Sequence, residues 1–204
     1  MPELPEVETL CRQLQREISG KKIIKTRIFD KKLPRLGNLR GKKVMNVRRR
    51  GKTVSIELDG GYYLLVHLRM TGRLLWQTDE AMPRYVRWQM SLEGGEVFLA
   101  DPRRFATIKV TRKQPESVGA EIFGDFHLEK VMQLHGRRKI KVKALLMDQN
   151  AICDIGNIYA CEILHRAGIH PEAPCRAIGP VAAARLAEAI SQVLGAAIEA
   201  RGTT

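Results

Sequence analysis

The chain has 204 residues, 44% of them hydrophobic, with 35 Lys and Arg against 22 Asp and Glu, a net charge of +13 and a pI near 9.9. That length and apolar content fit a globular protein of one or two domains, with no internal repeat and no low-complexity tract. The acidic N-terminus excludes a targeting signal, no apolar run approaches the roughly 20 residues of a membrane helix, and a soluble intracellular protein is expected.

The first element is a helix. Leu4, Val7, Leu10, Leu14 and Ile18 recur at three and four residues, Pro2 suits a first turn, and Glu3 and Glu6 complement the positive end of the helix dipole. Glu8 is expected in solvent, and Ser19-Gly20 closes the helix. The segments KIIKTRIFD, KKVMNVRRR, TVSIELDGG, YYLLVHLRM, RWQMSLEGG and EVFLADPRR then read as six short strands with Asp-Gly-Gly and Glu-Gly-Gly turns, a β-rich unit reaching about Arg112. Strands so closely spaced imply a sandwich or barrel. Residues 113–124, with Pro115, Gly119 and Gly124, form the connection. Beyond them HLEKVMQLHGRRK, IGNIYACEILHRAG and PVAAARLAEAISQVLGAAIEARG read as helices, the last started by Pro180 and stopped by Gly202.

The charge is clustered. Ten Lys and Arg and no acid lie between Lys31 and Lys52, and Arg137-Arg138-Lys139-Ile140-Lys141-Val142-Lys143 adds a second group. Two such clusters in a basic chain favour nucleic acid as partner over a merely solvated surface. Cys11, Cys153, Cys161 and Cys175 form no C-x-x-C pair, so zinc-ribbon spacing is absent and free thiols in a reducing cytosol are expected.

Five motifs in order, MPELPEVETL, RRRGK at 48–52, HLRMTG at 67–72, DPRRF at 101–105, and LLMDQ with IGNIYACEIL around Asn157, resemble the formamidopyrimidine-DNA glycosylases of the Fpg/Nei superfamily. The resemblance implies an α+β fold: an N-terminal β-sandwich with a flanking helix over 1–118, and a C-terminal helix-two-turn-helix domain over 119–204. It also implies a bifunctional glycosylase and abasic-site lyase of base excision repair. Such an enzyme excises oxidised purines, formamidopyrimidine and 8-oxoguanine, through a Schiff base at the N-terminal proline, followed by β,δ-elimination. The partner is double-stranded DNA carrying oxidised bases or abasic sites, the protein a monomer, the location a bacterial-type cytoplasm at the nucleoid.

The chemistry explains the residue types. Once Met1 is removed Pro2 is a secondary amine, and an N-terminal amine titrates near ~7.7–8.0 against ~10.4 for lysine, so more of it is nucleophilic at neutral pH. By resemblance Glu3 assists sugar-ring opening and proton transfer, a role suited to a carboxyl whose pKa is raised by burial or neighbours. Glu6, a helical turn on, either supports this site or steadies the helix end. Lys52 contacts the phosphate and supports the chemistry. Met70, Arg103 and Phe105 resemble the family's void-filling trio, an apolar wedge, a guanidinium for the orphaned base and an aromatic insert, although singly Met70 and Phe105 read as core residues. Arg104 pairs with an acid or a phosphate. Asn157 holds the DNA backbone at an anion-binding helix N-terminus, or is an ordinary N-cap, or both. His67 and Lys143 are further backbone contacts.

Family members usually continue past Thr204 into a zinc finger, or a zincless replacement, whose hairpin carries an arginine to the DNA. The four cysteine ligands of that finger are not in this sequence, so no cofactor is expected. A non-catalytic binder of damaged DNA, or a lyase acting on abasic sites alone, stays open as an alternative. Two smaller departures are Ala144, where proline is common, and Asp154, an added acid that weakens binding if it faces DNA.

Overall fold

The computed structural model describes residues 2–79, 81–116, 119–122, 126–135 and 140–202. The chain divides into two compact units. One is Pro2 with Val7–Pro115, and the other is Glu3–Glu6 with the chain from Glu116 on. Helix α1 (Leu4–Ile18) begins in residues of the second unit and continues in the first.

In the first unit eight strands build two four-stranded antiparallel sheets: β1 (Ile23–Ile28), β2 (Val44–Arg50), β3 (Thr53–Leu58), β4 (Tyr62–His67), β5 (Arg73–Gln77), β6 (Val86–Leu92), β7 (Gly95–Ala100) and β8 (Thr107–Thr111). The orders are β1-β6-β7-β5 and β2-β3-β4-β8. Val47 on β2 points inward with Ile56, Leu64, Trp88, Met90 and Leu99 from both sheets, a register shift between Val44 and Asn46 lets Val44 face inward as well, and α1 adds Val7, Cys11, Leu14 and Ile18. Burying each large apolar side chain contributes about 1.5–3 kcal/mol. Burial, aided by the charge of Glu8, pushes the Cys11 thiol up to about 12.

The six strands expected are present, but β5 and β8 were additional. RLLWQ and TIKVT are five residues each, too short for a period to declare itself, and both are recruited by pairing with distant strands. Glu8 is not left to solvent. Its carboxylate bonds Arg12 (2.8 Å) and the buried Arg49 (3.1 Å), whose guanidinium also donates to the Gly51 carbonyl at 2.9 Å.

The second unit is helical: α2 (Leu128–His135), α3 (Val142–Met147), α4 (Asn157–Ala167) and α5 (Pro180–Glu199), with a short 3-10 turn at Cys175–Ala177. Its core joins Leu4, Leu145, Leu146, Ile155, Tyr159, Ile163, Leu186 and Ile190. Helix α3 went unread because its six residues carry less than two turns. Of the basic group, Arg137–Lys139 lie outside the described residues, as does Gly124 of the connection.

The stop of α5 is one residue earlier than Gly202. Arg201 takes the left-handed conformation (φ 62), its N–H bonds the Ile198 carbonyl, and the Gly202 N–H reaches back to Ala197 at 2.7 Å, a Schellman pair. No apolar run of membrane length was expected, and α5 differs. Helix α5 is long and apolar enough to cross a membrane by length and composition. Alanine raises its mean hydropathy, and Leu186, Ala189, Ile190 and Leu194 bury one face of it in the core.

Candidate active site

Register places the candidate residues of the first unit. Thr53 pairs with His67 and His67 with Thr107, so the β2–β3 hairpin, the end of β4 and the start of β8 lie side by side. In the other sheet Arg73 pairs with Ala100, which sets the start of β5 beside the end of β7. The two segments that cross between sheets, 68–72 and 101–106, therefore run next to each other.

Asp101 fastens them. Its side chain is buried; Oδ1 accepts the Thr71 hydroxyl (2.5 Å) and the Arg103 N–H (3.1 Å), and Oδ2 accepts the N–H groups of Phe105 and Ala106, both at 2.7 Å. Burial pushes the Asp101 carboxyl up, and hydrogen bonds from Ala106, Thr71, Phe105 and Arg103 outweigh it, leaving it below the ordinary aspartate value. Gly72 permits the close approach, since a Cβ there would lie 2.5 Å from the Leu68 carbonyl oxygen and 2.8 Å from the Ala106 Cβ.

These segments present the void-filling candidates. Met70 is 47% and Phe105 48% exposed, so neither is a core residue. The Arg103 guanidinium lies 4.7 Å over the Phe105 ring. Arg104, with φ 58, turns to Asp30, and Arg87 bonds the same carboxylate at 2.7 Å; the Arg104 bond and then Arg87 hold Asp30 well below the usual carboxylate range. Met70 also lines a cleft of about 590 Å³ with Pro2, Thr71, Arg73, Arg84 and Tyr85. Pro2 is half-buried in that wall.

Lys52 sits in a two-residue hairpin behind Gly51, whose φ of 54 suits the first position of a II′ turn. It is close enough to act on His67. Burial first, then the charges of Arg69 and Lys52, lower the His67 pKa to about 4, while Nδ1 accepts the Arg69 N–H at 3.1 Å. The ring is thus neutral at pH 7 with Nε2–H as its donor, suited to a phosphate oxygen.

In the second unit Glu3 is buried and caps a helix other than its own. Oε2 accepts the N–H of Gly156 (2.9 Å) and Tyr159 (3.3 Å), and Oε1 that of Ile158 (3.1 Å). The N-terminus of α4, read from the sequence as an open anion site, is already occupied by this carboxylate. Glu6 completes half a capping box: Oε2 accepts the Glu3 N–H (2.9 Å), and Oε1 accepts the Tyr159 hydroxyl (2.7 Å). Asn157 is not the N-cap; Gly156 is, and Asn157 is the first helical residue, exposed, with no side-chain partner among the described residues. Lys143 is half-buried on α3. Asp154 is fully buried and accepts the Ile122 N–H at 2.6 Å, so it faces no DNA. Asp101 and Tyr159 were missed as organisers. An aspartate before Pro-Arg-Arg at a strand end was the available signal for the first, and Tyr159 had none beyond its motif.

Zinc does not fit these residues. Cys11, Cys153 and Cys175 are buried apart from the exposed Cys161, and among the described residues no group of three or more His, Cys, Asp or Glu could hold a metal ion.

A family model described as the formamidopyrimidine-DNA glycosylase N-terminal domain matches residues 1–108, and that of the same family's H2TH domain matches residues 118–204. The chain belongs to the formamidopyrimidine-DNA glycosylase family. Relatives of that name include those of Pelotomaculum thermopropionicum, 38% identical over 221 residues, and Geotalea uraniireducens, 39% identical over 219; both alignments cover this whole chain and 80% of the relative. The Lactococcus lactis formamidopyrimidine-DNA glycosylase, solved non-covalently bound to DNA with an abasic site, is 29% identical with a TM-score of 0.89 over 98% of this chain and 83% of that one. A structure of MutM in complex with DNA containing carbocyclic 8-oxo-G is also 29% identical, with a TM-score of 0.91 over 99% and 81%.

Two consequences for this family member can be measured. Asp101→Asn replaces an oxygen that accepts N–H groups with an amide that repels them, and is expected to cost about 2–4 kcal/mol in urea unfolding. A loss below about 0.5 kcal/mol contradicts the fastening role. Second, the His67 imidazole is expected to titrate near 4 by NMR, and Lys52→Met to raise that midpoint. Because the folded pKa lies below the ordinary ~6.5, the associated stability is whole above that pH and is lost as pH falls through about 4.

Proposed function

We propose that this chain is a bifunctional DNA glycosylase and abasic-site lyase that excises oxidised purines from double-stranded DNA. The observation that carries the reading is Pro2 in the wall of a cleft shared with Met70, next to the loop that presents Arg103 and Phe105. After loss of Met1, the Pro2 nitrogen attacks C1′ of the damaged nucleotide as the base departs, and collapse to an iminium holds the sugar for β,δ-elimination. Met70, Phe105 and Arg103 occupy the space left by the extruded nucleotide. Proton transfers at the sugar fall to Glu3, with Glu6 positioning it. Lys52, His67, Lys143 and Asn157 hold phosphates. The DNA complexes of the relatives support the choice of partner.

The test is incision of duplexes containing 8-oxoguanine or an abasic site by Met1-processed protein. Cleavage of both, leaving phosphate on each side of the gap, is expected. Cleavage of the abasic duplex alone reduces the activity to a lyase, and cleavage of neither leaves a DNA-binding protein.

A further inference from the structure

We propose that the first unit holds a second nucleic-acid subsite, a cleft of about 450 Å³ walled by Phe29 and Tyr85, which takes one unpaired nucleotide with its base on these rings and its phosphate at Lys31. Phe29 is 45% and Tyr85 63% exposed, and aromatic faces left in water beside cations are the means by which proteins grip single strands. The cleft's volume lies in the range of small-ligand sites.

The charges in its lining favour an anion. Asp30 is bonded by Arg87 and Arg104, and both oxygens of Asp101 are taken by the 101–106 loop and Thr71. Lys31 has no acidic partner among the described residues, and the neighbouring Asp30 is taken by Arg87 and Arg104.

The walls are also fixed in advance. The Phe29 N–H donates to the Arg87 carbonyl at 2.9 Å, and the Tyr85 carbonyl accepts the Asp101 N–H at 2.9 Å. Tyr85 is held at φ 62, a conformation that costs an aromatic residue about 1–2 kcal/mol and persists only where the surroundings enforce it. Tyr85 and Pro102 line both this cleft and the Pro2 cleft and so divide them. The subsite requires binding only, and stands whether or not Pro2 performs chemistry.

Anisotropy of a labelled short oligothymidylate, with the whole chain, measures it. Phe29→Ala is expected to weaken binding by about five- to a hundredfold, the usual worth of one stacked base, without changing the melting curve of a side chain that is already half exposed. Lys31→Ala is expected to weaken binding and make its salt dependence shallower by about 0.7. Thymidine monophosphate should compete and inorganic phosphate should not. An iododeoxyuridine strand should photo-crosslink to Phe29 or Tyr85. Unchanged affinity of Phe29→Ala, equal competition by phosphate, or adducts confined to Met70 or Phe105 would each overturn the subsite, and leave incision at Pro2 to be judged by its own assay.

Discussion

Protein carrying any residue ahead of Pro2 is expected to lose strand scission by about 10⁴-fold or more while its affinity for duplex DNA changes less than tenfold. A peptide nitrogen has its lone pair in the amide and no proton to lose, so it cannot attack C1′. Removing a covalent nucleophile takes away a whole step, which is why the loss exceeds the 10²–10⁴ typical of a general acid or base. In the proposed function binding falls to cations and loops other than Pro2, so affinity and scission are expected to separate. Pro2→Gly keeps a terminal amine and should retain part of the activity; equal scission by the extended and processed forms would remove Pro2 from the chemistry.

Glu3→Gln is the second large effect, and it acts on stability as well as rate. The carboxylate accepts three N–H groups at the start of α4, where the helix dipole also favours negative charge. An amide in its place turns an NH₂ toward one of those donors, at a cost of about 2–4 kcal/mol, or roughly 5–12 °C in melting temperature for a chain of this size. Gly156→Ala should behave alike, because its Cβ would lie 2.3 Å from the Glu3 Cδ. A Glu3→Gln protein that melts with the parent contradicts the capping role. If it melts low, its rate must be read well below the new transition, so that lost proton transfer is distinguished from lost structure.

Acid weakens the first unit at Asp101. Its carboxyl is held below the ordinary value, so its stabilisation is present above the unfolded pKa near ~3.9 and disappears as pH falls through the lower folded one. His67 adds its own loss at about 4, which makes the first unit acid-sensitive from two directions.

Much of the fold was readable where structure is local. The apolar stripe of α1 sits in the cores as its spacing requires, and the Asp-Gly-Gly and Glu-Gly turns close hairpins between β3 and β4 and between β6 and β7. Local pattern failed for β5, β8 and α3, whose five or six residues hold a conformation only through partners far along the chain. It also failed at Arg201, where the left-handed residue of the helix end precedes the glycine that advertised it.

The candidate site shows the same divide. Composition and motifs could nominate Glu3, but a spacing of 153 residues to Gly156 hides its partner. Asp154 looked like a charge added to a binding face, and only burial beside Ile122 reveals it as an internal acceptor. Met70 and Phe105 read singly as core residues and only their motifs argued otherwise; half-exposure on two segments clasped by Asp101 takes them out of the core.

The proposed chemistry requires that the reacting nitrogen belong to Pro2. Borohydride reduction of Met1-processed protein on abasic-site DNA, followed by trypsin, nuclease and tandem mass spectrometry, locates the bond. A single sugar adduct on the first residue of the peptide spanning 2–12 is expected; an adduct on Lys52, or an unmodified N-terminal peptide alongside efficient strand scission, would remove Pro2 as the nucleophile.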